Sequence, residues 1–330
     1  MLSDPVINNH NIGRNNRWTQ SNGIAVVIPV RNRSDLLEEC LLSLAEQDFS
    51  IGNFEVLVCD DFSTENLEFV VNRCRNRIPN IKLLRLKKHQ GPAAARNMGF
   101  RSSKASIFVC VDSDVICKKD FLSRIIDALE INSDWVAAEA TVFPKKERYS
   151  ILLDAPENRG GSFLSSASAY RSAALKRVGG FDEEFPLPAC EDAELAARLM
   201  GIGKYGYVAE AIVYHPTRRV SLQMHWRWRR HWRYEMILAK RYGFLAFPGH
   251  PAGRFPRLRV GLSAIAALPV GRLLEGLKYI KYKPYDGIFA CLYAFFDIFC
   301  GLWAFPSILF SSVPPRRDYL SNHTPGSGRV

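Results

Sequence analysis

No two of the eight cysteines in this 330-residue chain are spaced as Cys-x-x-Cys, which removes the usual zinc-ribbon and redox-pair signatures. Several lie in apolar runs where a buried, reduced thiol is expected, so the sequence reads as belonging to a reducing compartment. There is no Walker phosphate loop, so the common ATP-loop signature is missing. Residues 1–23 are polar and asparagine-rich, with no basic segment leading into an apolar stretch. That is not a secretory leader, and the chain is expected to stay on the cytosolic side. Acidic residues are also in short supply: 33 Asp and Glu face 44 Lys and Arg, for a formal charge of +11. The excess predicts attraction to an anion without choosing among nucleic acid, lipid and phosphorylated substrate.

The first half alternates strand and helix patterns. Residues 24–30 form an apolar, β-branched run, and residues 35–46 place Leu37, Leu41 and Leu44 on one helical face. Residues 54–59, 81–86 and 107–111 read as further strands, with helices at 93–101 and 118–131. This grammar predicts an α/β fold with a mostly parallel sheet, whose ligands bind beyond the carboxyl ends of the strands.

Polar residues cluster at those ends. Asp112 and Asp114, two apart after a buried strand, can turn their carboxylates toward one cation. Oxygen ligands suit Mg²⁺ or Mn²⁺, and a cation already carrying diphosphate needs only one or two protein carboxylates. The competing reading is a polar turn that ends the strand. Asp60 and Asp61 can accept hydrogen bonds from a base or ribose, while Ser63 and Thr64 can equally cap the next turn. In the small-residue segment from Gly91 to Gly99, Arg96 either neutralises an anionic ligand or pairs with a nearby carboxylate. Glu191 and Asp192 open a helical stretch, where acids are favoured by the backbone dipoles whether or not they are catalytic. Phe181 covers a sugar face or anchors its loop in the core. His215 ends a strand-like run, as a metal ligand or as a packed, capping side chain.

Taken in order, the segment from Val26 to Arg33, the phrase Cys59-Asp60-Asp61-Phe62-Ser63-Thr64, Gly91 to Gly99, Asp112-Ser113-Asp114, Gly179-Gly180-Phe181-Asp182-Glu183 and Glu191-Asp192 resemble glycosyltransferase family 2 over about residues 22–216. The resemblance implies a GT-A nucleotide-diphospho-sugar transferase fold and sugar transfer with anomeric inversion. It implies a nucleotide-diphosphate sugar donor contacted by Pro29, Asn32, Asp60, Asp61, Arg96, Asp112 and Gly180. Asp114, Asp112 and secondarily His215 would hold Mn²⁺ or Mg²⁺, with Asp192 as the base and Glu191 binding acceptor or orienting the site. Phe62 stands where the family commonly has glycine. The Gln-x-x-Arg-Trp phrase of chain-extending relatives is missing, which favours addition of one sugar per encounter.

The composition changes after Thr217. Trp226, Trp228, Trp232 and Tyr234 alternate with arginines, as in an interfacial helix that meets anionic lipid. Residues 288–310 are long and apolar enough to cross a bilayer, although Asp297 and Pro306 interrupt them. Lys278, Lys281 and Lys283 precede this stretch and favour a cytosolic side. The expected organisation is a flexible polar segment (1–22), a catalytic domain (23–217), a helical membrane-associated region (218–313) and a flexible tail (314–330). The expected partners are a nucleotide sugar, a saccharide or polyprenyl-linked saccharide acceptor and anionic membrane lipids, with self-association left open. Nucleic acid is not expected, since it gives no reason for the long apolar stretch. A nucleotidyltransferase and a noncatalytic membrane scaffold are the competing classes.

Overall fold

The computed structural model describes residues 23–146, 150, 152–221, 223–224, 231–242, 268–310, 312–313 and 319–320. The expected flexible segment 1–22, most of the tail, most of the aromatic-basic run and most of residues 260–270 lie outside these.

The strands are β1 (Ile24–Val30), β2 (Phe54–Asp60), β3 (Ile81–Arg85), β4 (Ile107–Val111), β5 (Ile116–Cys117), β6 (Trp135–Pro144), β7 (Leu153–Asp154), β8 (Ala167–Arg171), β9 (Lys204–His215) and β10 (Arg218–Arg219). An eight-stranded sheet runs in the order β3-β2-β1-β4-β8-β6-β9-β5, and β7 pairs with β10 in a second, two-stranded sheet. Within the large sheet only β5 and β8 run against the rest. This is a GT-A-like α/β architecture with a mostly parallel sheet. Sequence patterning missed β6 and β8.

The helices of this part are α1 (Ser34–Ala45), α2 (Leu67–Cys74), α3 (Pro92–Arg101), α4 (Phe121–Ile131), α5 (Ser172–Val178) and α6 (Glu191–Met200). β1 is buried on both faces, so its period-2 alternation feeds two cores. Val26, Ile28 and Val30 join Leu37 and Leu41 of α1, Val70 of α2 and Ile125 of α4. Ala25 and Val27 face the other way, toward Phe100 of α3, Leu175 of α5 and Leu195 of α6. Burying each such aliphatic side chain contributes about 1.5–3 kcal/mol.

Helix α3 lies close on the sheet because its inner face is small. Ala93, Ala94 and Ala95 are buried, and a Cβ added at Gly99 would sit 2.7 Å from Val27 Cγ1 and 2.9 Å from Cys59 Sγ. That approach carries Arg96 beneath the carboxyl ends of the central strands.

Three further helices follow: α7 (Trp232–Tyr242), α8 (Leu268–Ile280) and α9 (Pro284–Phe310). Tyr242 Oη donates to Glu194 Oε1 of α6 at 2.7 Å, and Arg241 Nη1 lies 2.6 Å from Asp182 Oδ2. On α9, Ala290 and Tyr293 pack against Leu152 and Val220. The division expected after Thr217 therefore separates less than its composition suggested: residues beyond it are built into the catalytic part.

Candidate active site

At the end of β2, Asp60 and Asp61 organise the chain around them. Asp60 Oδ1 accepts from Ser63 N at 2.8 Å, and its Oδ2 pairs with Arg85 Nη1 at 3.3 Å. Asp61 Oδ1 accepts from Gln90 N at 2.7 Å, while Oδ2 accepts from Gly91 N at 2.9 Å and lies 2.7 Å from His89 Nδ1. Asp61 thus pins the loop before α3. Gly91, at φ 96, backs onto the carbonyl of Pro186, where a Cβ would come within 2.1 Å.

Asn32 follows β1 with φ 58. Its N donates to Ser63 Oγ at 2.7 Å and its Oδ1 accepts from Thr64 N at 2.9 Å, which ties the ends of β1 and β2 together. Ser63 and Thr64 do not cap α2; Asn66 does, accepting from Phe69 N. Phe62 has φ 60, the backbone in which glycine is at ease and a side chain is strained. Its exposed ring lies under the Arg85 guanidinium, 5.6 Å from the centroid.

Asp112, Asp114 and His215 come together from β4 and the end of β9, each offering a ligand atom within 4.8 Å of the others. His215 Nε2 is 3.4 Å from Asp114 Oδ1. Two carboxylates and an imidazole fit a divalent cation that favours oxygen and tolerates nitrogen. Asp114 Oδ2 also receives Arg33 Nη1 at 2.7 Å and Arg218 Nη2. Sequence reasoning gave neither arginine a place in the site; Arg218, at the start of the expected membrane-associated region, reaches Asp114 because β10 pairs with β7.

Arg96 needs a correction of emphasis. It is buried, and its guanidinium bridges Asp112 Oδ1 at 2.8 Å and Glu191 Oε1 at 3.1 Å while lying over the Phe181 ring. It supports the acids from below, as the carboxylate-pairing alternative required. Phe181 is fully buried and takes the core role. Gly180 lies in a turn held from within the fold, where its carbonyl accepts from Arg198 at 2.7 Å. A Cβ there would meet Asn97 Oδ1 at 2.6 Å. Pro29 is buried in β1 opposite Cys59 of β2.

Glu191 and Asp192 begin α6. Glu191 is buried, and desolvation followed by the charge of Asp192 pushes its carboxyl up to about 8, against the pull of Arg96. Asp192 is half-buried, and burial raises its carboxyl too, although Ala193 N donates to its Oδ1 at 2.8 Å. Glu139 of β6, also missed from sequence, is buried and holds the loop facing these acids. Its Oε2 accepts from Phe163 N at 2.7 Å and Asn158 Nδ2 at 2.9 Å, and its Oε1 from Gly161 N at 2.5 Å. All eight cysteines are free thiols, and none belongs to the candidate cation set.

Residues 25–173 match the family model described as glycosyl transferase family 2. The chain is 35% identical over 99 residues to the poly(ribitol-phosphate) beta-N-acetylglucosaminyltransferase TarS of Staphylococcus aureus, over 30% of this chain and 17% of the relative. It is 30% identical over 217 residues to the pre-mycofactocin glycosyltransferase of Mycobacterium tuberculosis, over 59% of this chain and 43% of the relative. The matched stretch thus spans less than half of either relative. Among solved structures, the mannosyltransferase PcManGT from Pyrobaculum calidifontis, in complex with GDP-Man and Mn²⁺, aligns with a TM-score of 0.57 at 21% identity, over 85% of this chain and 87% of that one. S. aureus TarS 1–349 in complex with UDP aligns with a TM-score of 0.52 at 20% identity, over 87% and 90%. At such identities the likeness is one of fold.

Proposed function

We propose, for a chain that belongs to glycosyltransferase family 2 through its residues 25–173, that it transfers one sugar from a nucleotide-diphosphate donor to an acceptor hydroxyl with inversion at the anomeric carbon. The observation that carries this reading is the gathering of Asp112, Asp114 and His215 beside the Arg96-linked acids at the start of α6. Asp112, Asp114 and His215 would hold Mn²⁺ or Mg²⁺. Such an ion, when bound, stabilises the negative charge that grows on the diphosphate leaving group.

Asp192 is the base: half-buried at the head of α6, it takes the proton of the attacking hydroxyl, and a single base suffices for direct inversion. Glu191, which favours its protonated form at neutral pH, leaves that task to its neighbour and hydrogen-bonds with Arg96. Asp60 and Asp61 belong to the nucleoside end, where they hold the loops that border the base. Arg96 fixes the spacing between the cation-binding and base carboxylates.

The acceptor is a saccharide or polyprenyl-linked saccharide presented at the cytoplasmic face of a membrane. Helix α9 supports this placement, since its Pro284–Trp303 stretch is long and apolar enough to cross a bilayer by length and composition. The test incubates membrane-reconstituted protein with a panel of nucleotide sugars and lipid-linked acceptors and identifies products by mass spectrometry, beside Asp114→Asn and Asp192→Asn. Sugar transfer lost in both variants is the expected result. Release of pyrophosphate in place of a nucleoside diphosphate would instead show nucleotidyl transfer.

A further inference from the structure

Arg33 and Arg218 converge on a single oxygen. Both donate to Asp114 Oδ2, from the turn after β1 and from β10. The Asp114 side chain is 2% exposed, whereas those of Arg33 and Arg218 are 45% and 39% exposed. On Asp114 itself one carboxylate thus receives two guanidiniums, while Asp112, the other carboxylate of the cluster, is already held by Arg96. A buried ion pair in the same fold looks different: Arg198 and Glu194 are both buried, and Arg198 Nη1 also donates to two backbone carbonyls. Arg33 and Arg218 keep nearly half their side-chain surface in solvent and share one carboxylate.

The carboxylate they share also belongs to the Asp112, Asp114 and His215 set, in which it and His215 are buried. A divalent cation entering that set places two positive charges beside both guanidiniums and turns their attraction to Asp114 into net repulsion. Planar guanidinium forks suit phosphate oxygens as well as carboxylates.

We infer that Arg33 and Arg218 are exchange ligands, which compete with a divalent cation for Asp114 and move to the diphosphate of the donor once the cation is bound. This rests on the nucleotide-diphosphate reading of the site and adds to it a coupling between cation and donor. The coupling is reciprocal: whatever factor the cation adds to nucleotide affinity, the nucleotide adds to cation affinity. The two guanidiniums delay cation binding until an anion arrives to receive them.

Binding measurements test this without requiring sugar transfer. Mn²⁺ alone is titrated into the full chain and followed by electron paramagnetic resonance, for wild type, Arg33→Gln, Arg218→Gln and the double variant. UDP and GDP are then titrated calorimetrically with and without saturating Mn²⁺. Expected in the double variant is Mn²⁺ binding about tenfold tighter than wild type, with whichever nucleotide the wild type accepts bound at least about tenfold more weakly in the presence of Mn²⁺. The enhancement of nucleotide binding by Mn²⁺ shrinks accordingly. Unchanged or weaker Mn²⁺ binding overturns the competition, and unchanged nucleotide binding overturns the transfer to diphosphate. Should the glutamine variants not fold, Arg33→Lys and Arg218→Lys test the transfer to diphosphate alone: losing the fork weakens nucleotide binding in the presence of Mn²⁺ while the persisting charge leaves Mn²⁺ binding near wild type, and unchanged nucleotide binding overturns the proposal. A wild type that shows this binding pattern but transfers no sugar leaves the exchange standing and removes the transferase reading.

Discussion

Asp112 and Glu191 are joined through one guanidinium: Arg96 reaches Asp112 with Nη2 at 2.8 Å and Glu191 with Nη1 at 3.1 Å. Asp112, at the proposed cation site, and the head of α6 are therefore positioned by a side chain that is itself 3% exposed. Arg96→Lys keeps the charge but loses the two-pronged geometry. The expected loss is about 1–3 kcal/mol in urea denaturation, with kcat falling more than donor KM rises. A variant with wild-type stability and turnover would show that the bridge positions nothing.

Asp192 and Glu191 are adjacent in sequence yet separable in role. Asp192→Asn removes the proposed base and should lower kcat by about 10²–10⁴-fold with little change in nucleotide affinity. Glu191→Gln preserves the shape and an acceptor for Arg96, so its loss in kcat should be much smaller. Steady-state kinetics on both variants decides the order, and a larger defect in Glu191→Gln would reverse the assignment.

The same pair sets a pH dependence of stability. The folded chain holds the Glu191 proton up to about pH 8, against an ordinary value of 4.5, so folding favours the protonated form. The stability from this group is complete below about pH 4.5 and is lost as the pH rises toward 8. Each unit of upward shift corresponds to about 1.4 kcal/mol. Glu191→Gln mimics the protonated carboxyl at every pH. Melting temperatures at pH 5, 7 and 9 should show wild type falling progressively below the variant, and parallel profiles would contradict the shift.

Gly91 allows a backbone approach that no other residue permits. With φ 96 and a would-be Cβ only 2.1 Å from the Pro186 oxygen, Gly91→Ala must displace either the loop before α3 or the segment that leads into α6. The loop is held through Asp61, so the strain reaches the residues proposed to border the nucleoside. Destabilisation of about 1–3 kcal/mol in chemical denaturation, together with weaker UDP or GDP binding, is expected. Full retention of both would show that the approach is relaxed in solution.

β1, β2 and β4 were legible because they are short runs rich in Ile, Val and Leu, with β2 and β4 closed by acids. β6 and β8 were not: WVAAEATVFP and ASAYR are rich in alanine and serine, and the charged Glu139 sits mid-strand. Only the folded chain shows what neutralises that charge, namely the backbone N–H groups of Gly161 and Phe163 and the Asn158 amide. Asp112, Asp114, Glu191, Asp192 and His215 stood out because each closes a strand or opens a helix. Arg33 and Arg218 did not, because arginine in a turn reads as solvated surface. Their convergence depends on β10 turning back to pair with β7, a long-range event with no local signature.

Helix α9 presents two faces, only one of which is free for the proposed membrane association. Ala290, Ala294 and Cys300 are buried, and Asp297 is paired with Arg272 of α8, so one face belongs to the protein. Ile288, Leu292, Phe295, Phe299 and Leu302 are all about half exposed or more and recur at helical spacing on the other. Lys281, Tyr282 and Tyr285 lie where α8 turns into α9, an arrangement of cations and amphipathic rings that suits a headgroup region. A helix with one face fixed to its own domain has only the other to give to lipid. Replacing Leu292, Phe295 and Phe299 together with serine removes most of that apolar surface while leaving the packed face intact. The triple variant should stay folded by circular dichroism and lose co-sedimentation with vesicles containing anionic lipid. If it still sediments with them at high salt, the exposed stripe of α9 is not what holds the protein at the bilayer.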